Sequence, residues 1–227
     1  MTHSKSDRRG GPRPKATFIE EARRHQIIDA AIDTIADVGY ANASFARIAA
    51  RADISPSLIS YHFVSRAELT RAVAESLDEH LRSSVGGAVE DVAPHLAAAR
   101  AIATAFVQYV HHNRNRMLAL RQLDAALGPS ERSGIGVLDE DSGIAGWQDL
   151  LLAGQGVGEF RAFDARVMAA SIMGILAAVP RQVFGDSGAD ADHLANEVAA
   201  TIEHAIRVRG SRSRAALPPD NKPKETE

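Results

Sequence analysis

The sequence predicts an all-α protein, and three observations carry that prediction. Apolar residues recur at helical spacing in segment after segment, and no stretch alternates apolar with polar residues as a half-buried strand would. Helix punctuation falls where the periodic runs begin and end: Gly39 follows one run, while Ser44, Ser55-Pro56 and Ser65 precede others. Composition agrees, with 45% hydrophobic but only 5% aromatic residues, and alanine throughout, the best helix former.

Residues 1–16 mix Gly, Pro, Ser and charge without an apolar period, so a disordered basic arm is expected there. The first helix is expected over 18–38, with Ile28, Ala31, Ile32, Ile35 and Val38 on its apolar face and Gly39 as its stop. Ser44 caps the second, in which Phe45, Ile48, Ala49 and Ala52 form a stripe that leaves Arg47 and Arg51 free for water or a phosphate. Asp53 ends it, since a short polar side chain tolerates the left-handed backbone of a sharp turn. Ser55 then accepts an orphan N–H, and Pro56 occupies the first helical position at no cost in hydrogen bonds. In this third helix Leu58, Ile59 and Phe63 face inward, leaving Pro56, Ser57, Ser60, Tyr61 and His62 outward. Ser65-Arg66-Ala67-Glu68 fits a capping box, with Val64 and Leu69 as its hydrophobic staple. Leu69, Val73, Leu77 and Leu81 carry the fourth helix towards Gly86-Gly87.

Helical patterns resume at 94–112, 114–127, 144–153, 164–184 and 189–208, separated by loops at 128–143 and 154–163. Pro180 is expected to kink its helix or end it early. Val167, Ile172, Ile175, Leu176, Val179 and Val183 pair naturally with Leu194, Val198, Ile202 and Ile206, and Gly174, Ala177 and Ala178 permit close approach. So much apolar surface must be packed within one chain or shared between two. Residues 210–227 read as a second disordered tail.

Charge and chemistry narrow the function. The net charge is −3, but residues 1–71 carry 11 Lys/Arg against 8 Asp/Glu, and the remainder 15 against 21. The absence of cysteine removes disulfides and thiolate metal sites and fits a reducing cytosol. No signal core is seen, and the longest apolar run, 168–180, is too short to span a bilayer, so a soluble cytoplasmic protein with no membrane partner is expected. His111 and His112 are adjacent and point to different faces; Gly154, Gly156 and Gly158 imitate a phosphate loop but follow no strand and more simply end a helix. The acidic run Asp139-Glu140-Asp141 lies in a solvated loop, and no Gly-x-Ser-x-Gly elbow exists. No catalytic residue, metal ligand or cofactor is therefore assigned, with a helical enzyme, a metal-binding bundle or an interaction adaptor kept as rivals.

The strongest positive signal is the pair of short helices over 44–63, an arrangement that seats the second helix in a DNA groove. Ser44, Ser55 and Arg66 stand at helix N-termini, which favour phosphate, and Arg47 adds a charge. Pro56, Ser57, Ser60 and Tyr61 face the groove, and His62 can donate to a phosphate. The plain alternative has the serines only capping, the rings filling a seam and Arg66 solvated; it competes residue by residue but explains the set poorly. Arg8, Arg9, Arg13, Lys15, Arg23 and Arg24 precede or open the first helix, either neutralising DNA or only solubilising a leader.

Over roughly residues 20–80 the chain resembles the tetracycline-repressor (TetR/AcrR-like) family of bacterial regulators. The resemblance rests on RRHQIIDAAIDTIADVGY, on S-F-x-x-I-A-x-x-A at 44–52, on Ile54-Ser55, on S-Y-H-F at 60–63 and on S-R-A-E-L from Ser65. Asp53 and Ser57 stand where that family often has glycine. The resemblance implies a three-helix helix-turn-helix DNA-binding head at 17–65 and a helical effector-binding and dimerisation domain at 66–209, with the last two helices forming a dimeric bundle. The segment GEFRAFDARVMAASIMG at 158–174 looks like the lead-in to that bundle. It also implies a cavity for a small-molecule effector, for which Phe106, Tyr109, Met117, Arg121, Trp147 and Met173 are the lining candidates, with ordinary core as the alternative. Asp124, one turn from Arg121, offers that charge a partner. The expectation is a homodimer reading a near-palindromic operator in double-stranded DNA as a repressor that an unknown effector releases. An activator or a ligand-independent regulator stays open.

Overall fold

The computed structural model describes residues 18–88, 94–132, 140–185 and 190–208; the basic arm, the tail from 210 and residues 133–139 of the long loop lie outside the described residues. Among the described residues ten α-helices follow in order: α1 (Phe18–Val38), α2 (Phe45–Ala52), α3 (Pro56–His62), α4 (Arg66–Gly86), α5 (His95–His112), α6 (Arg114–Ala126), α7 (Pro129–Arg132), α8 (Glu140–Gly156), α9 (Ala165–Gly185) and α10 (Ala191–Ile206). A 3-10 turn, Tyr40–Asn42, links α1 to α2. Among the described residues the only β pairing is an isolated antiparallel bridge between Phe160 and Arg207.

The chain divides into two compact units, residues 1–83 with 112–140 and residues 84–111 with 141–227. The first is therefore discontinuous in sequence. Its core joins Ile27, Ala31 and Ile35 of α1, Ile48 and Ala49 of α2, Ile59 of α3, Phe63, and Leu69, Val73 and Leu77 of α4 to Ala119 and Leu123 of α6. Each fully buried large aliphatic or aromatic side chain contributes about 1.5–3 kcal/mol. Polar ties pin α6 along α1: Arg116 to Asp29 at 3.1 Å and Asn115 Nδ2 to Asp33 at 2.9 Å. After α6 the chain turns through α7, where the Gly128 N–H donates to Glu131 at 2.9 Å, so part of the expected long loop is a helical turn.

The core of the second unit mixes small and bulky residues. Ala98, Ala99 and Ala103 of α5, Ala169 of α9 and Ala195 and Ala199 of α10 are buried among Trp147, Leu151, Ile172, Leu176, Val179, Val198 and Ile202. The expected partnership of the last two helices forms, but Val167 stays 63% exposed. Pro180 does not end α9, which continues to Gly185 with Pro180 itself buried: tertiary packing holds the turn that the missing N–H weakens. By length and composition α9 is long and apolar enough to cross a membrane, an amendment to the expectation drawn from 168–180 alone; here it packs on α10.

Helix α8 starts at Glu140 and runs to Gly156, longer at both ends than expected. Gly154 falls inside it for a packing reason, because a Cβ there would overlap the Phe160 ring. Gly158, at φ +76°, then makes the turn that brings Phe160 back. Gln155 Nε2 fastens this return by donating to the carbonyls of Arg161 (3.1 Å) and Phe163 (3.0 Å).

Candidate nucleic-acid interface

Ser44 has the extended backbone of an N-cap, and its Oγ accepts the Arg47 N–H at 3.4 Å. Ile48, Ala49 and Ala52 anchor α2 inward. Its stop is Asp53 in the left-handed conformation (φ 54°, ψ 48°), with Ile54 N donating to Ala49 O at 3.0 Å, so the chain reverses as a glycine-type C-cap would. The αL cost for a non-glycine residue is about 1–2 kcal/mol.

Ser55 has N-cap geometry, but its hydroxyl meets that of Ser57 at 2.9 Å and makes no cap bond, a correction to the capping role expected of it. The orphan N–H of Leu58 bonds the Ser55 carbonyl instead. On the inner side of α3, Ile59 and the C-cap residue Phe63 are both fully buried. On the outer side Pro56, Ser57, Ser60 and Tyr61 are exposed, Tyr61 at 72%. The half-buried His62 ring stands edge-on to Tyr61, 5.1 Å between centroids, so the two rings steady each other.

At the start of α4, Ser65 Oγ accepts the Glu68 N–H at 3.1 Å, half of the expected box. The reciprocal bond is displaced by one residue, since Glu68 takes the N–H of Val64 at 2.8 Å. Val64 is 90% exposed, so the expected staple with Leu69 does not form; a side chain turned to solvent cannot reach a buried one. Arg66 is not a free charge either. It donates to the Tyr40 carbonyl and lies over the Tyr40 ring at 4.5 Å, held at the first turn of α4. Arg51 is drawn off to Asp37 at 2.7 Å, whereas Arg47 stays exposed with one bond to the Asn42 carbonyl at 3.4 Å. All nine residues expected to meet DNA thus fall in the first unit, eight exposed and His62 half-buried.

The effector candidates are divided between the units. Met117 and Arg121 lie on α6 in the first; Phe106 and Tyr109 of α5, Trp147 of α8 and Met173 of α9 lie in the second. Met117, Tyr109 and Trp147 are buried, Phe106 and Met173 half-buried, and Arg121 is exposed. The proposed Arg121 partner, Asp124, pairs with Arg132 at 2.8 Å instead. The Met173 methyl packs so close to Gly143 that a Cβ there would lie 2.7 Å from it. Among the described residues no group of three or more His, Asp and Glu could hold a metal ion.

Among the described residues two titratable groups depart from their ordinary values. In the first unit burial, reinforced by the Arg116 charge and opposed by Asp29, lowers the His80 pKa below 6.5. In the second, burial raises the Glu159 pKa, but hydrogen bonds from the His95 ring and the Leu96 N–H outweigh it and hold the carboxyl below 4.5. That carboxylate accepts the Leu96 N–H at 3.1 Å and so caps the start of α5 from a distance in sequence.

Residues 27–73 match the sequence model of a family described as bacterial regulatory proteins, tetR family. The HTH-type transcriptional regulator BetI of Cronobacter sakazakii is 35% identical over 85 residues, 37% of this chain and 42% of BetI. The HTH-type transcriptional activator FasR of Mycolicibacterium smegmatis is 28% identical over 131 residues, 58% of this chain and 60% of FasR. The chain thus matches less than two thirds of the length of these relatives. In three dimensions, FadR of Bacillus subtilis, solved with stearoyl-CoA, aligns at TM-score 0.71 and 19% identity over 81% of this chain and 99% of its own. A tetR-family regulatory protein from Rhodococcus RHA1 aligns at 0.71 and 20% over 82% and 98%. At such identities the structural likeness is one of fold. Residues 27–73 thus match the tetR family of bacterial regulatory proteins, and the chain as a whole shares the fold of solved regulators described as tetR-family.

Proposed function

We propose that the protein is a homodimeric, ligand-responsive transcriptional regulator of the cytoplasm, a repressor that binds a near-palindromic operator and leaves it when a small-molecule effector binds. The observation that carries this reading is the outer face of α3, exposed from Pro56 to Tyr61 while Ile59 and Phe63 behind it are wholly buried. A rigid inner side with a small, polar and aromatic outer side is what base-edge contact requires. DNA reading is assigned to residues 17–65: Ser44, Arg47, Ser55, His62 and Arg66 to phosphates, and Pro56, Ser57, Ser60 and Tyr61 to the groove. Effector binding and dimerisation are assigned to residues 66–209, with pairing through α9 and α10 and an effector lining drawn from Phe106, Tyr109, Trp147 and Met173 of the second unit.

Two heads spaced by roughly 34 Å read successive turns of one duplex. An effector acts only by favouring an arrangement with a different head spacing, so its affinity must differ between the two states. One relative, FasR, is named a transcriptional activator, which supports activation as the second reading. Gel shifts at stated salt with the DNA flanking the coding region test the first claim. Binding that weakens by about 1–3 kcal/mol in Tyr61→Ala supports base reading, and a salt slope lowered by about one in Arg47→Ala supports a phosphate contact. Indifference to sequence overturns it, and sedimentation as a monomer overturns the dimer.

A further inference from the structure

The first helix reaches the end of the reading helix through one side chain. Arg24 Nη1 donates to the His62 carbonyl, the last of α3, at 2.6 Å. The same guanidinium lies over the Phe63 ring at 4.2 Å from its centroid, and Nη1 stands 3.9 Å from Glu68 Oε1. Glu68 in turn takes the Val64 N–H at 2.8 Å. Arg24 therefore gathers the final carbonyl of α3, its C-cap ring and the first-turn carboxylate of α4. Two residues further along α1, Gln26 Nε2 does the same for α2, donating to the Ala52 carbonyl at 2.9 Å. These groups are only partly buried, so the ion pair alone is a weak tie; the force of the arrangement lies in direction. A planar guanidinium that bonds a carbonyl while stacked on a ring fixes an angle, which a lysine ammonium cannot do.

We infer that Arg24 is a positioning residue for DNA reading: it sets the orientation of α3 relative to α1 and thereby which base edges Ser57, Ser60 and Tyr61 meet, without itself serving as a phosphate contact. This rests on the reading of α3 as the DNA-contacting helix. It separates Arg24 from the basic arm with which its charge would group it. A small tilt of α3 misplaces base contacts, which demand strict geometry, but hardly alters phosphate contacts, which do not.

The test begins with the full-length wild-type protein and a random duplex library, from which a preferred duplex is selected; a scrambled duplex of the same composition is the control. In Arg24→Lys, which keeps the charge, affinity for the selected duplex should fall about tenfold while affinity for the scrambled duplex changes less than about threefold and the salt slope is kept. Glu68→Gln, which removes the carboxylate side of the latch and leaves Arg24 in place, should lower the ratio of selected to scrambled affinity about threefold in the same direction. Amide hydrogen exchange at Phe63 and Val64 should quicken in both variants. A lysine that restores wild-type discrimination, equal losses on both duplexes, or an unchanged ratio in Glu68→Gln overturns the inference. Selection that enriches no duplex overturns the reading of α3 beneath it.

Discussion

The two units hold their helices in different ways. In the first, bulky side chains such as Phe63, Ile27 and Ile59 are fully buried and the helix ends are fastened by directed bonds: Arg24 to the end of α3, Gln26 to the end of α2, Arg66 to the turn after α1. In the second, fully buried Leu151, Ile172 and Ile202 stand beside the buried alanines of α5, α9 and α10, and the helices are joined side chain to side chain, Arg100 to Glu203 and Gln108 to Asp192, each at 2.6 Å, with further bonds on the return loop around Gln155, Glu159 and Arg161. A bond between two flexible side chains fixes that two helices touch but sets the angle between them less firmly than a bond to a backbone carbonyl at a helix end. A reading head needs angles, and angles come from hydrogen bonds and stacked rings. The family match is correspondingly confined to residues 27–73, while the scaffold as a whole shares its fold with regulators at 19–20% identity.

The contrast can be broken by substitution. Phe63→Ala removes a fully buried ring from the head and should cost about 3–5 kcal/mol in chemical denaturation. If the units are as separately built as their cores suggest, the emission of Trp147, the only tryptophan and buried in the second unit, should change little at denaturant levels that unfold the Phe63→Ala head. In the second unit Gly154→Ala should destabilise by about 1–3 kcal/mol, although alanine favours a helix elsewhere, because its methyl meets the Phe160 ring. A stabilised Gly154→Ala would show that this loop gives way.

Smaller changes sharpen the comparison. Asp53→Gly should raise the melting temperature by relieving a positive φ, a gain of up to about 1 kcal/mol after the entropy cost of glycine. The smallest expected effects concern acid. His80 in the first unit and Glu159 in the second both have folded-state pKa values below their ordinary ones, so each binds fewer protons folded than unfolded. Their stabilising contributions are complete above pH 6.5 and pH 4.5 respectively, and are lost as pH falls through the lowered values. The first unit should therefore begin to weaken at higher pH than the second. His80→Gln should flatten the first unit's dependence below pH 6.5. Glu159→Gln should flatten that of Trp147 emission below 4.5; coincident transitions in the wild type would remove the distinction.

What the chain determines by itself is local. The stops at Gly39 and Asp53, the cap at Ser44, the proline that opens α3 and the exposed face from Pro56 to Tyr61 all follow from interactions within a turn or two, where residue type and spacing act directly. Only tertiary structure placed α6 in the core of the head, tied Arg116 to Asp29 across 87 positions and Arg24 to His62 across 38, carried α9 through Pro180 and laid the Phe160 ring against Gly154. Helical periodicity records which face of a segment is apolar, not which distant segment covers it. That partner is chosen by the fit of side chains that meet only once the chain has folded.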